Sequence, residues 1–280
     1  MNYRHAYHAG SFADVFKHAV LALLIEALKR KDTPFCAIDT HAGIGRYDLE
    51  SVEAGKTNEA DTGIRKLTGL TLPPELAAYA GAVAALNPDP SVPRWYPGSP
   101  LIVRHLLRPQ DRLLLAELHP ADAAQLATEF HRDPQTLVRH MDGYVALKAF
   151  LPPAERRGVV LIDPPFEVTN EFVLLQKGLS EAWRRWPTGI YAVWYPIKAW
   201  APIAAFHEWV KANAPGPALF AQLLLYPLGN EERLNGCGLV IVRPPWQLDH
   251  ELGRLLPFLR RTLAPELGQT DLTWLVKDRA

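Results

Sequence analysis

Asp163-Pro164-Pro165-Phe166, directly after the apolar run Gly158-Val159-Val160-Leu161-Ile162, is suited to one demanding piece of chemistry. A short apolar run closed by prolines reads as a buried strand ending at Asp163. In open α/β sheets the carboxyl edge of the strands is where ligands bind. The tetrapeptide suits methylation of an exocyclic amine on a nucleobase. That nitrogen is a poor nucleophile, because its lone pair is delocalised into the ring. Two acceptors, the Asp163 carboxylate and the Pro164 carbonyl, would hold both amine hydrogens and draw the nitrogen toward tetrahedral geometry. Proline's fixed φ stiffens the loop, and Phe166 offers a face on which a base stacks. The competing reading of these four residues alone is a proline-rich turn after a core strand.

Three further carboxylates fall at strand ends. Asp39-Thr40-His41-Ala42-Gly43-Ile44-Gly45 sits where a short strand (34–38) gives way to a loop, and its glycines let backbone approach a ligand closely. It lacks the full dinucleotide pattern, and taken alone it also reads as a tight turn. Glu117 closes the next strand, where a carboxylate can accept both ribose hydroxyls. Asp142-Gly143 follows the third, where an adenine amine of a cofactor would find an acceptor. Four acidic residues at four consecutive strand ends fit a cationic, polyhydroxyl ligand such as S-adenosylmethionine better than a pyrophosphate, which they would repel. The N-terminal Tyr3-Arg4-His5-Ala6-Tyr7-His8-Ala9-Gly10 is aromatic and basic, and reads either as a frayed tail or as a lid. Its two histidines have no third ligand, so no metal site is expected.

The elements that must position these groups alternate. Ser11 and Asp14 have capping-box spacing, with Asp in place of the usual Glu or Gln, ahead of an apolar helix ending at 29–31. Between 47 and 95 the pattern turns helical: two short helices (58–67 and 75–86) and no strand. Strand–helix alternation then resumes: strands at 112–116, 136–139, 158–162, 189–194, 218–226 and 238–242, helices at 100–107, 120–130, 143–150, 172–185 and 202–212. Loop 227–236 has no helical pattern, so the two strands it joins should be antiparallel. The expected fold is α/β, a mainly parallel, doubly wound sheet with an inserted small helical subdomain. The parts are 1–46, a lid and the first piece of the core; 47–95, the insertion; and 96–280, the rest of the core.

Composition narrows the function classes. With 48% hydrophobic and 21% charged residues, the 280-residue chain is ordinary for a globular protein. Net charge is +0, so any nucleic acid must be held by a local patch. Cys36 and Cys237 lie far apart in apolar runs without metal-ligand spacing, as buried thiols of a reducing cytoplasm would. Segment 18–28 is apolar but too short to span a membrane and contains Glu26.

Across nearly its whole length the chain resembles the bacterial 23S ribosomal RNA adenine-N6 methyltransferases that modify helix 72. Tyr3-Arg4-His5, His8-Ala9-Gly10, Ala13-Asp14-Val15 and Lys17-His18 carry the resemblance first. Asp39-Thr40-His41-Ala42-Gly43, Tyr96-Pro97-Gly98-Ser99-Pro100, Glu117-Leu118-His119-Pro120, Asp142-Gly143, the 163–166 tetrapeptide and Trp194-Tyr195-Pro196 extend it. Phe166 departs from the family's Tyr; stacking survives, but the hydroxyl's contact is lost. The resemblance implies a Rossmann-like class I methyltransferase with S-adenosylmethionine as donor and no metal. Carried over by motif, His18, His41, Ser99, Glu117, Asp142 and Gly143 would bind the cofactor. Asp163 would accept the proton, while Tyr3, Pro164 and Phe166 would meet the substrate.

The expectation is therefore a cytoplasmic, monomeric enzyme, without a membrane partner, that methylates N6 of a specific adenine in large-subunit ribosomal RNA. Protein-free 23S RNA, or a hairpin of it, would be the substrate, with Arg156, Arg157, Lys198 and Arg233 as candidate phosphate contacts. Two alternatives stay open: a DNA adenine-N6 methyltransferase and a non-catalytic RNA-binding assembly factor on the same fold.

Overall fold

The computed structural model describes residues 5–89 and 91–277. Eight strands form one sheet: β1 (Cys36–Asp39), β4 (Arg112–Glu117), β5 (Thr136–His140), β6 (Gly158–Ile162), β7 (Ile190–Ile197), β8 (Ala218–Leu224), β9 (Gly236–Val242) and β10 (Gln269–Val276). Their order is β10-β8-β9-β7-β6-β1-β4-β5. The β5-β4-β1-β6-β7 block is parallel, whereas β9 runs antiparallel to both β7 and β8. This is the Rossmann-like fold of class I methyltransferases, with β10 added antiparallel at the β8 edge. The chain winds outward from β1 to β5, then crosses back to β6 beside β1. The loops after β1 and β6 thus open into one crevice.

Strand side chains alternate between two cores, as their period of two requires. Ala37, Leu113, Leu115, Val159 and Leu161 face one layer, built with α1 (Phe12–Lys29), α3 (Ala77–Leu86), α4 (Ser99–Leu106) and α5 (Pro120–Glu129). The same layer holds α9 (Leu248–Leu263). Cys36, Ile38, Leu114, Val160 and Ile162 face the other, with α6 (Gly143–Ala149), α7 (Glu171–Arg185) and α8 (Trp200–Asn213). Helix α1 is buried along almost all its length, including Lys17 and His18. Among the described residues no helix is long and apolar enough to cross a membrane.

The segment after β1 departs from its expected form. Residues 46–48 (β2) pair antiparallel with 95–97 (β3), a short ribbon at the neck of the segment where no strand was expected. The helix expected over 58–67 is instead α2 (Val52–Thr57) followed by two single 3-10 turns. Asn58 takes a left-handed φ of 52°, and a Cβ on Gly63 would collide with the backbone of Gly10 and Ser11. Close packing against the start of α1 breaks the helix there. The loop joining β8 and β9 does make an antiparallel pair. Two C-terminal elements, α9 and β10, had no counterpart in the sequence reading.

Candidate active site

The four strand-end acids lie on one edge of the sheet, because β5, β4, β1 and β6 run in parallel register. Above that edge is a cavity of about 370 Å³, lined by the loops after β1, β4, β6 and β7 and by the start of α1. Its size falls in the range of small-molecule sites.

One wall is fit for the adenosine end of a ligand. Glu117 is buried and lines the cavity; Oε2 accepts the Gly43 amide at 2.8 Å and Oε1 the His119 amide at 2.8 Å. Each oxygen keeps a lone pair for a hydroxyl. Gly43, at φ 63°, has no room for a Cβ because the Tyr47 hydroxyl lies against it. His41 lines the same wall, with Nδ1 against Thr40 Oγ1 at 2.8 Å. Desolvation lowers its pKa to about 4, so the ring is a neutral donor or acceptor at physiological pH. Gly143 backs this ring: a Cβ there would come within 2.6 Å of it.

A second wall comes from α1 and α4. His18 is buried, with Nδ1 2.8 Å from the Tyr96 hydroxyl, and burial holds its pKa well below the ordinary imidazole value. Ser99 opens α4 and lines the cavity beside Gly98. Behind them, Asp39 accepts the His41 amide on Oδ1 at 3.1 Å, while its buried Oδ2 has no hydrogen-bond partner among the described residues. Burial raises the Asp39 pKa to about 6, against the opposing pull of Ser99 and the His41 amide. An orphaned buried carboxylate oxygen beside a cavity invites a cationic donor.

A third wall is the 163–166 loop. Lys17, buried in α1, bridges Asp163 Oδ2 and Asp14 Oδ1, the latter at 3.0 Å. The ammonium fixes the Asp163 carboxylate while leaving Oδ1 for a substrate. Asp14 also accepts the Gly10 amide at 3.0 Å and pairs with His5 at 2.9 Å. Burial alone would raise its pKa, yet facing His5 and Lys17 hold it well below the carboxylate range. The expected capping box is thus recast: Ser11 caps α1, but the Asp14 arm reaches the amide one residue earlier. Pro164 is buried, and Phe166 adopts a left-handed φ of 51°, a strained conformation for an aromatic residue. The Phe166 ring meets Trp194 and Phe172 edge-on, at 6.2 and 5.2 Å between centroids. These aromatics form a slot next to Asp163. Among the described residues no group of three or more His, Cys, Asp or Glu side chains could hold a metal ion.

Residues 32–276 match the family model described as Ribosomal RNA large subunit methyltransferase D, RlmJ. The chain belongs to this family. It is an enzyme, a methyltransferase. Two curated relatives, both named Ribosomal RNA large subunit methyltransferase J, come from Escherichia coli (strain K12) and Haemophilus influenzae. They are 41% and 40% identical over 280 residues, covering 99% of this chain and all of each relative. A crystal structure from Legionella pneumophila str. Philadelphia 1 superimposes with a TM-score of 0.88 at 35% identity, covering 95% of this chain and 98% of that one.

Within this family member, the structure brings His18, His41, Ser99, Glu117, Asp163, Pro164 and Phe166 around one cavity. Asp142 and Gly143 stand outside its lining: Asp142 Oδ1 caps α6, accepting the Tyr144 and Val145 amides at 2.8 and 3.0 Å. Tyr3 and Arg4 lie outside the described residues. Arg156 and Arg157 are at the amino end of β6, away from the cavity, and Arg157 donates to the carbonyls of Thr33 and Leu28. Neither lines the cavity. Lys17, Asp14, Tyr47 and Trp194 went unassigned in the sequence reading. Trp194 and Lys17 were visible within the motifs Trp194-Tyr195-Pro196 and Lys17-His18, but with no role attached to either.

Proposed function

We propose that the enzyme transfers a methyl group from S-adenosylmethionine to N6 of a specific adenine in protein-free 23S ribosomal RNA, within helix 72, in the cytoplasm. The observation that carries this reading is the juxtaposition of the Lys17-fixed Asp163 carboxylate with the Pro164–Phe166–Trp194 slot, in a cavity whose other walls present Glu117 and neutral histidines, with Asp39 buried behind them. When bound, S-adenosylmethionine supplies the methyl as an electrophilic sulfonium, for direct transfer without a covalent enzyme intermediate. Glu117 would accept its ribose hydroxyls, and Ser99 and His18 would line its charged end, with the Asp39 charge behind them. Asp142 acts through the α6 cap, placing Gly143 under His41.

At the other end of the cavity, Asp163 Oδ1 and the Pro164 carbonyl accept the two amine hydrogens. That localises the nitrogen lone pair and provides an acceptor for the departing proton. Phe166 and Trp194 hold the base edge and face in the slot. Positioning and fixed dipoles do the catalytic work. An adenine must leave its stack to reach the slot, which costs least in a loop, bulge or open RNA. The test is labelled methyl transfer to a short hairpin, protein-free 23S RNA, assembled large subunits and duplex DNA. We expect the protein-free RNAs to be preferred; preference for duplex DNA would transfer the site to a DNA methyltransferase, and no transfer to any would leave a binding protein.

A further inference from the structure

One lip of the cavity is built from two segments far apart in sequence. The chain leaves β7 through Lys198, and the loop between β8 and β9 folds against the same side; Lys198 and Leu234 both line the cavity. Asn235, fully buried, locks the two segments together. Its Nδ2 donates to the Lys198 carbonyl at 2.9 Å and to the Asn230 carbonyl at 2.7 Å, and its amide donates to Ile197 at 2.9 Å. Its carbonyl accepts the amides of Leu225 and Tyr226. The exposed loop is therefore held at its root.

On that root the Arg233 guanidinium lies 3.7 Å from the centroid of the Tyr226 ring, with Nε donating to Asn235 Oδ1 at 3.3 Å. Both side chains are exposed, as is Lys198. Most surface arginines here, such as Arg46, Arg94 and Arg254, sit on carboxylates. Lys198 and Arg233 pair with no carboxylate among the described residues. An exposed planar cation stacked on an aromatic ring is preorganised for a phosphate. By contrast, residues 167–173, which follow Phe166, contain no Lys or Arg. Glu231 and Glu232 immediately precede Arg233, so the lip is a pair of placed cations, not a broad basic field.

We propose that this lip grips the RNA backbone beside the nucleotide that enters the cavity: Lys198 and Arg233 contact its flanking phosphates, and Tyr226 positions Arg233. The proposal rests on the reading of the enzyme as an RNA methyltransferase and adds where the RNA is held. It explains how a chain of zero net charge binds a polyanion, through cations placed at the mouth. Phosphate contacts position the substrate without reading its sequence.

The test uses the full chain with Arg233→Ala, Lys198→Ala, Tyr226→Ala and Tyr226→Phe, and a protein-free RNA hairpin as probe. Arg233→Ala and Lys198→Ala should each raise the KM for the hairpin several-fold, more than they lower kcat. Each should also reduce the slope of log affinity against log salt by about 0.7, the share of one phosphate contact on open RNA. Tyr226→Ala should shift KM in the same direction, while Tyr226→Phe, which keeps the ring, should restore it. Cofactor affinity and melting temperature should stay at wild-type values throughout. If wild-type protein methylates the hairpin but the variants keep its KM and salt slope, the lip is not the RNA contact. If wild-type protein fails on every RNA, the functional reading itself falls, so the two failures are distinguishable.

Discussion

Asp39→Asn should make the protein more stable and the enzyme worse. The folded state holds the Asp39 carboxyl at about 6, against 3.8 for an unperturbed Asp. Between those values the unfolded chain has lost its proton while the folded one keeps it, so rising pH costs stability. The cost is fully present above about pH 6 and absent well below 3.8. At about 1.4 kcal/mol per pH unit it reaches about 3 kcal/mol at pH 8 and about 1 kcal/mol at pH 4.5. Asn keeps an oxygen for the His41 amide and puts a neutral NH2, with Ser99 beside it, where the orphaned Oδ2 now sits. It also removes the repulsion from Asp163. The expected gain at pH 8 is up to about 3 kcal/mol, or roughly 5–10 °C in Tm for a chain of this size. Thermal melts of both proteins at pH 8 and pH 4.5 measure it. Titration calorimetry should meanwhile show S-adenosylmethionine binding weakened by about 1–3 kcal/mol, as for a lost charge-assisted hydrogen bond. Equal gains at both pH values, or a lower Tm at pH 8, would refute the claim that burial of the Asp39 carboxylate outweighs the support it receives from Ser99 and the His41 amide.

Glu117→Ala should weaken cofactor binding by about 1–3 kcal/mol, since it removes the ribose acceptor. Asp142→Ala should weaken it too, but with a loss of stability of about 1 kcal/mol from the uncapped α6, read from Tm. Deleting residues 2–8 removes the His5–Asp14 and His8–Glu59 pairs and the contact of Thr57 with the Tyr7 carbonyl. Activity should fall strongly; Tm should fall as well, because buried Asp14 loses one of its two cationic partners, whereas the part-exposed His8–Glu59 pair contributes only about 0–1 kcal/mol. A truncated protein with full activity would remove the N-terminal segment from the site.

The frame of this fold was readable because burial on both faces writes long apolar runs. Gly158–Ile162 and Arg112–Glu117 show it; Asp163 follows the first, Glu117 closes the second, and the sheet aligns both acids with Asp39. The family resemblance, carried by motifs along the whole chain, was likewise borne out as far as a ribosomal RNA large subunit methyltransferase family. Helix α9 was legible but went unread: Leu248, Leu252, Leu255, Leu256, Leu259 and Leu263 keep a helical period, despite Pro257 within it. Strand β10 shows a weak alternation typical of an exposed edge. The broken helix after Thr57 could not be seen, because what breaks it is the backbone of Gly10 and Ser11, about fifty residues away in sequence. The same holds for Lys17. No local pattern distinguishes a lysine snorkelling to solvent from one buried against Asp14 and, 146 residues on, Asp163. For Asp142, the dipeptide Asp142-Gly143 reads equally as a helix cap or as a ligand contact. The structure shows the cap and leaves the carboxylate out of the cavity lining.

The central claim is that Asp163 acts on the amine of an adenine, not on the cofactor. The most direct measurement is single-turnover methyl transfer from labelled S-adenosylmethionine to protein-free 23S RNA, with wild type and Asp163→Ala compared after digestion to nucleosides and mass analysis. Wild type should yield N6-methyladenosine at a single position. Asp163→Ala should form almost none, while binding the cofactor with near wild-type affinity. A different methylated nucleoside, or a variant with a near-normal single-turnover rate, would contradict the account.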